Sequence, residues 1–205
     1  MRFAKAAVQR GELLVIPTDT VYGVAADAFR PEAVERLLNA KGRTRQSPPP
    51  VLIPNLAAMG ALGDMLTEDV KNLAREFWPG ALTIIVPAQP SLAWDLGESN
   101  GTVALRIPDH EITLQLLEQT GPLAVSSANK TGQPAATTVQ DAEEQLGDLI
   151  TVYLDGGPTP GNTPSTIIDA TAHCESGAPI TVVRQGAISE SKLKKVAPLA
   201  FGVQD

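Results

Sequence analysis

The chain has 205 residues, 43% of them hydrophobic and 19% charged, with a net charge of -7, a composition that suits one globular domain with a sizeable core. Gripping a nucleic-acid backbone would ask for a basic surface, so any anion site here must be a local cluster on an acidic protein. One cysteine, Cys174, excludes an internal disulfide, and no apolar run suits a signal peptide or a bilayer span, so a cytoplasmic location without a membrane partner is expected.

In chain order, residues 3–10 read as a helix stopped by Gly11, and residues 12–17 as a buried strand around Leu13-Leu14-Val15-Ile16. That strand empties into Pro17-Thr18-Asp19-Thr20 and turns at Val21-Tyr22-Gly23, the layout of a ligand-facing loop in an α/β protein. Pro31 suits a first helical turn, and Val34, Leu37 and Leu38 give that helix an apolar face to about Ala40. Lys41-Gly42-Arg43-Thr44-Arg45 follows with three cations in five residues. A polar strand end followed by a cationic helix end accounts for these two stretches equally well, since the helix dipole favours cations there.

Residues 50–54 read as a strand, and Thr67 as the N-cap of a helix running to about Trp78 before Pro79-Gly80. Leu82–Val86 and Thr102–Ile107 are strands, and Asp109 is expected to cap a helix through about Gln119. Leu123–Ser126, Leu149–Leu154, Ser165–Asp169 and Ile180–Arg184 are further strands, with a helix near Val139–Leu146 between the first two. These eight strand candidates and five helices, interleaved first and strand-rich later, predict one α/β domain with a mixed sheet whose late strands pair antiparallel.

Several chemistries fall away. The sequence contains no phosphate loop, no dinucleotide fingerprint and no Gly-x-Ser-x-Gly elbow. His110 and His173 are not spaced as a metal pair, and one cysteine cannot complete a zinc site. Both histidines read as surface or helix-start residues. What remains is polar residues at strand ends: Arg106 before Pro108, Ser126-Ser127-Ala128-Asn129, Ser165-Thr166 after a Pro/Gly loop, and Arg184. Each has a plain reading as a solvated cation or a turn; together they describe a cationic, hydroxyl-lined pocket for a polyanion and a small carboxylate.

The ordered set Pro17 to Gly23, Lys41-Gly-Arg43, Trp78-Pro-Gly80, Arg106-Ile-Pro108, Ser127-Ala-Asn129, Asp155-Gly-Gly157, Ser165-Thr-Ile167 and Arg184-x-Gly186 resembles the YrdC family of threonylcarbamoyl-adenylate synthases, from about residue 8 to 188. The resemblance implies an α/β fold with a twisted mixed sheet, flanked by helices, around a concave basic cleft. It also implies synthesis of L-threonylcarbamoyladenylate from L-threonine, bicarbonate and ATP with Mg²⁺, releasing pyrophosphate. That product serves N6-threonylcarbamoyladenosine formation in tRNAs reading codons that start with A, so tRNA is reached indirectly, through threonylcarbamoyl-transfer proteins.

Carried over, the family's tetrad falls on Lys41, Arg43, Ser127 and Asn129. Lys41, Arg43, Thr102, Ser127 and Arg184 match ATP contacts; Thr20, Arg106 and Ser165 match L-threonine contacts, with Arg106 facing its carboxylate. No protein ligand for a metal is implied. Ser47 replaces a frequent ATP-contacting Asn, Leu52 stands where some members have His beside threonine, and Ala135 stands where some have Ser. The extra C-terminal domain of longer members is expected to be missing. A nucleotide- or RNA-binding paralogue and a carbamoyl-phosphate-handling module of hydrogenase maturation are the alternatives.

Overall fold

The computed structural model describes residues 1–202, so the end of the expected 1–205 domain lies outside the described residues. The elements are α1 Arg2–Gln9, β1 Leu14–Ile16, β2 Gly23–Asp27, α2 Pro31–Ala40, β3 Val51–Leu52, α3 Leu56–Leu62, α4 Glu68–Phe77, β4 Leu82–Pro87 and β5 Thr102–Arg106. Then come α5 Glu111–Thr120, β6 Leu123–Ser127, α6 Val139–Leu146, β7 Val152–Tyr153, β8 Thr166–Asp169, α7 Thr171–Ser176, β9 Thr181–Arg184 and α8 Glu190–Val196.

The strands form one mixed sheet in the order β7-β1-β2-β6-β3-β5-β4-β8-β9. The pairs β1/β7, β3/β5 and β4/β8 are parallel and the rest antiparallel. The expected mixed α/β sheet is therefore present, with two corrections of detail. Among the late strands only β8 and β9 pair antiparallel, and α7 stands between them; β7 instead runs parallel to β1. The turn expected at Val21-Tyr22-Gly23 leads directly into strand β2, which the sequence does not mark, because its core residues Val24, Ala25 and Ala26 are buried on both faces and show no alternation.

Local signals explain most helix boundaries. Pro31 opens α2, Thr67 caps α4 by accepting from Val70 N, and Thr138 with Asp141 forms a capping box on α6. Asp109 does not cap α5: His110 holds that position without a side-chain bond. Asp109 N is instead drawn to Asp19 Oδ1 at 3.0 Å. The short helices α3, α7 and α8 were not foreseen, since six or seven residues carry too few turns for a periodic pattern.

The helices cover the sheet unequally, and this places the cleft. On one face, α2, α3, α4, α7 and α8 pack on residues such as Ile84, Val86 and Leu105, and α2 with α6 packs on Val24. Helix α4 contributes Val70, Leu73 and Ala74, and burying Leu73 fully is worth about 2 kcal/mol. On the other face, α1 and α5 bury only Leu14, Ile16, Ala25, Leu52, Leu123 and Val125. Beyond them the sheet stays open, and alternate residues of β4, β5 and β8 face outwards there.

Candidate active site

A cleft of about 240 Å³ opens on that uncovered face, lined by Thr18, Thr20, Arg43, Leu52, Thr83, Arg106, Ser127, Ser165, Ile167 and Arg184 among others. Six of the expected residues meet there: Thr20, Arg43, Arg106, Ser127, Ser165 and Arg184. Lys41 and Asn129 lie buried behind Ser127. Thr102 is not brought to this cleft. It donates to Ser99 O at 2.8 Å and lines an adjoining depression that shares Pro48. Leu52 is on the cleft wall, whereas Ser47 and Ala135 are not among its lining residues.

The loop after β1 builds one end. Thr18 Oγ1 donates to Val21 O at 2.7 Å and accepts from Thr20 N, which folds Pro17–Val21 into a tight turn. Thr113 of α5 holds Pro17 O from below, and Tyr22 OH bonds Gly156 N and Gly157 O, locking the Asp155-Gly-Gly157 turn against this loop. Gly156 must lack a side chain, since a Cβ there would sit 2.7 Å from Pro17.

Arg106, 7% exposed at the end of β5, points into this turn. Its Nε donates to Gly80 O at 2.9 Å, Nη1 to Thr20 Oγ1 at 3.1 Å and Nη2 to Asp19 Oδ1 at 2.5 Å. The Trp78-Pro79-Gly80 motif is thus explained by a carbonyl that holds the guanidinium. Burial pushes the Arg106 pKa down while the Asp19 charge pulls it back. Two N–H groups stay free of protein partners among the described residues, enough for a carboxylate.

Across the cleft, Arg184 donates through Nε and Nη2 to Ser165 O, and through Nη2 to Ser165 Oγ at 3.1 Å. Gly186 lets that strand end approach: a Cβ would fall 2.5 Å from Ser165 C and O. Burial, then Arg106 and Arg43, lower the Arg184 pKa. Guanidinium groups that repel one another across a cleft mark a place for anionic charge.

Lys41 behaves differently from Arg43. Only 2% exposed, its Nζ donates to Ser127 O at 2.6 Å, to Asn129 Oδ1 at 3.0 Å and to Asn129 O. It pins the turn after β6, and burial with Arg43 nearby lowers its pKa to about 8. Arg43 is exposed and bare of protein partners among the described residues. Arg45 leaves the cleft altogether to pair with Asp95 at 2.7 Å. The histidines divide: His110 starts α5, but His173 is buried, with Nδ1 2.9 Å from Ala178 O.

Two residues of the site were not assigned from sequence. Asp19, the partner of Arg106, stood inside the motif, and its charge was the available signal. Thr83 is a single hydroxyl in the apolar run Leu82-Thr83-Ile84-Ile85-Val86, and that contrast was its signal.

The Sua5–YciO–YrdC family model, described as telomere recombination, matches residues 6–186. The putative threonylcarbamoyl-AMP synthase of Mycobacterium leprae is 47% identical over 193 residues, 94% of this chain and 86% of that protein. The structure of Pyrococcus abyssi Sua5 complexed with L-threonine superposes with a TM-score of 0.89 at 34% identity, over 96% of this chain and 56% of that one. Escherichia coli YciO, at 22% identity and a TM-score of 0.80 over 92% of this chain and 91% of its own, shares the fold.

Proposed function

The chain belongs to the Sua5–YciO–YrdC family, and from that premise we infer that its cleft makes L-threonylcarbamoyl-AMP from L-threonine, bicarbonate and ATP. It is a threonylcarbamoyl-AMP synthase, a nucleotidyltransferase of tRNA threonylcarbamoyladenosine formation. The observation that carries the reading of the site is Arg106. A buried guanidinium held flat by Asp19, Gly80 and Thr20, with two N–H groups to spare, suits one small carboxylate.

The amino group of L-threonine condenses with bicarbonate, releasing water, and a carbamate oxygen then attacks the α-phosphorus of ATP as pyrophosphate leaves. The task for the protein is positioning and charge neutralisation, with no protein nucleophile. Arg106, Thr20 and Ser165 hold threonine; Arg43, Arg184 and Ser127 meet the nucleotide. Lys41 and Asn129 shape the turn that presents Ser127. The enclosed volume is below that of a typical drug-sized pocket, so the nucleotide extends outwards over exposed Arg43. Thr102 then serves as an outlying nucleotide contact past Pro48.

Mg²⁺ fits as a companion of the triphosphate. Among the described residues the cleft lining carries no carboxylate, and Mg²⁺ takes phosphate oxygens and water readily. It would offset phosphate charge beside Arg43 and Arg184. Transfer of the product to tRNA through partner proteins sets the chain in the cytoplasm, with weak, salt-sensitive tRNA binding of its own on an acidic surface. Identity of 47% over most of a synthase relative favours this over a paralogue with another role.

The test is pyrophosphate release from ATP measured with L-threonine and bicarbonate each withheld. Release is expected only with both present; release that ignores threonine overturns the assignment.

A further inference from the structure

Strand β4 lies between β5, which carries Arg106, and β8, which follows Ser165. The antiparallel register pairs Ile84 with Leu105, so one step further sets Thr83 opposite Arg106, while the parallel register pairs Thr83 with Ile167. Thr83 therefore occupies the cleft floor between the two residues assigned to L-threonine, 2% exposed and lining the cavity.

Among the described residues its hydroxyl makes one protein hydrogen bond, to Ser165 Oγ at 2.9 Å. Ser165 Oγ also accepts from Arg184 Nη2 at 3.1 Å, and arginine can only donate. Two hydroxyl protons serve these two oxygens. One fills their mutual bond, and the other has no protein acceptor among the described residues. If Thr83 donated to Ser165, the serine oxygen would accept twice and the buried threonine oxygen not at all. The arrangement that uses every group once runs from Arg184 to Ser165 to Thr83, leaving the Thr83 proton facing the cleft. Each donor in such a chain polarises the next, so the last O–H is strengthened by a cation two bonds away.

We propose that Thr83 is a specificity-determining residue that donates this hydrogen bond to the side-chain hydroxyl of the amino-acid substrate. The inference rests on the synthase reading, in which Arg106 already takes the carboxylate. A substrate without that hydroxyl leaves the Thr83 donor buried and unpaired, a penalty that rejects isosteric valine more strongly than apolar contacts can.

The test uses the intact protein and its Thr83→Val variant, which keeps the shape and loses the donor. Calorimetric titration with L-threonine and L-valine is combined with KM values for threonine and ATP from pyrophosphate release. Thermal melting checks that the variant is folded, and Thr83→Ala gives the same readout if the valine variant does not fold. The expected result is a threonine KM raised about tenfold, one buried hydrogen bond, with the ATP KM within about twofold. Preference for threonine over valine should fall by a similar factor, and Thr83→Ser should restore both. A folded Thr83→Val protein with unchanged threonine KM and selectivity overturns the proposal, as does an equal loss for threonine and valine. A wild-type protein that binds no threonine overturns the synthase reading instead.

Discussion

Arg106 lies buried with Gly80, Thr20 and Asp19 around it, whereas Arg43, lining the same cleft, is exposed and touches no protein acceptor among the described residues. In the proposed reading the two cations meet anions under opposite conditions. Arg106 gave up its rotamer freedom on folding, so a carboxylate meets a guanidinium already aimed at it. Arg43 must be ordered by its ligand and so returns less affinity per contact, but it can follow a triphosphate that rearranges during the reaction. A small fixed substrate and a large changing one call for these two solutions.

The sharpest way to break the contrast is Asp19→Ala, which leaves Arg106 buried without its partner. Stability should fall by about 3–5 kcal/mol, read from denaturant unfolding. A loss under about 1 kcal/mol would show that the pair behaves like a surface contact and that the two ends do not differ in kind.

Crossed titrations probe the same division functionally. Arg43→Ala should lose about 2–3 kcal/mol of nucleotide interaction, raising the ATP requirement about 30- to 150-fold, with the threonine requirement little changed. Arg106→Lys should do the reverse, because an ammonium cannot copy the planar fork, and Thr20→Val should weaken threonine alone. Damage by Arg106→Lys confined to the ATP titration would dissolve the two-ended description.

Lys41 offers a test by pH. Its folded pKa, about 8, lies below the ordinary 10.5, so between those values the unfolded chain binds more protons and stability rises with pH. The rise should be on the order of 1–2 kcal/mol, less than the full shift implies, because three oxygens favour the ammonium. Wild type minus Lys41→Met isolates it, and parallel curves for the two proteins would refute the assignment. The smallest effect belongs to Arg45→Ala, whose pair with Asp95 is exposed: under about 1 kcal/mol of stability and no change in either titration.

Sequence made much of the site legible because each motif packs residues that act together: Pro17 to Gly23, Trp78-Pro-Gly80 and Arg184-x-Gly186 each serve a local turn or carbonyl. What it hid depends on register between distant strands. Nothing near Thr83 in sequence reveals that Ser165 and Arg106 flank it, and nothing near Lys41 reveals that its ammonium turns inward to Ser127 and Asn129. Strand β2 escaped for the opposite reason, being too thoroughly buried to alternate.

The strand order has a consequence for how the molecule comes into being. β2 pairs with β6 and β4 with β8, partners far apart in the chain, so long loops must close before these contacts reward them, and such topologies fold slowly. Thr20, Arg106, Ser127 and Ser165 come from four separate stretches, brought together by these pairings and by β3, which bridges β6 and β5. A nascent or partly folded chain can hold its helices and still lack any cleft, so the appearance of threonine-dependent turnover marks the end of folding itself.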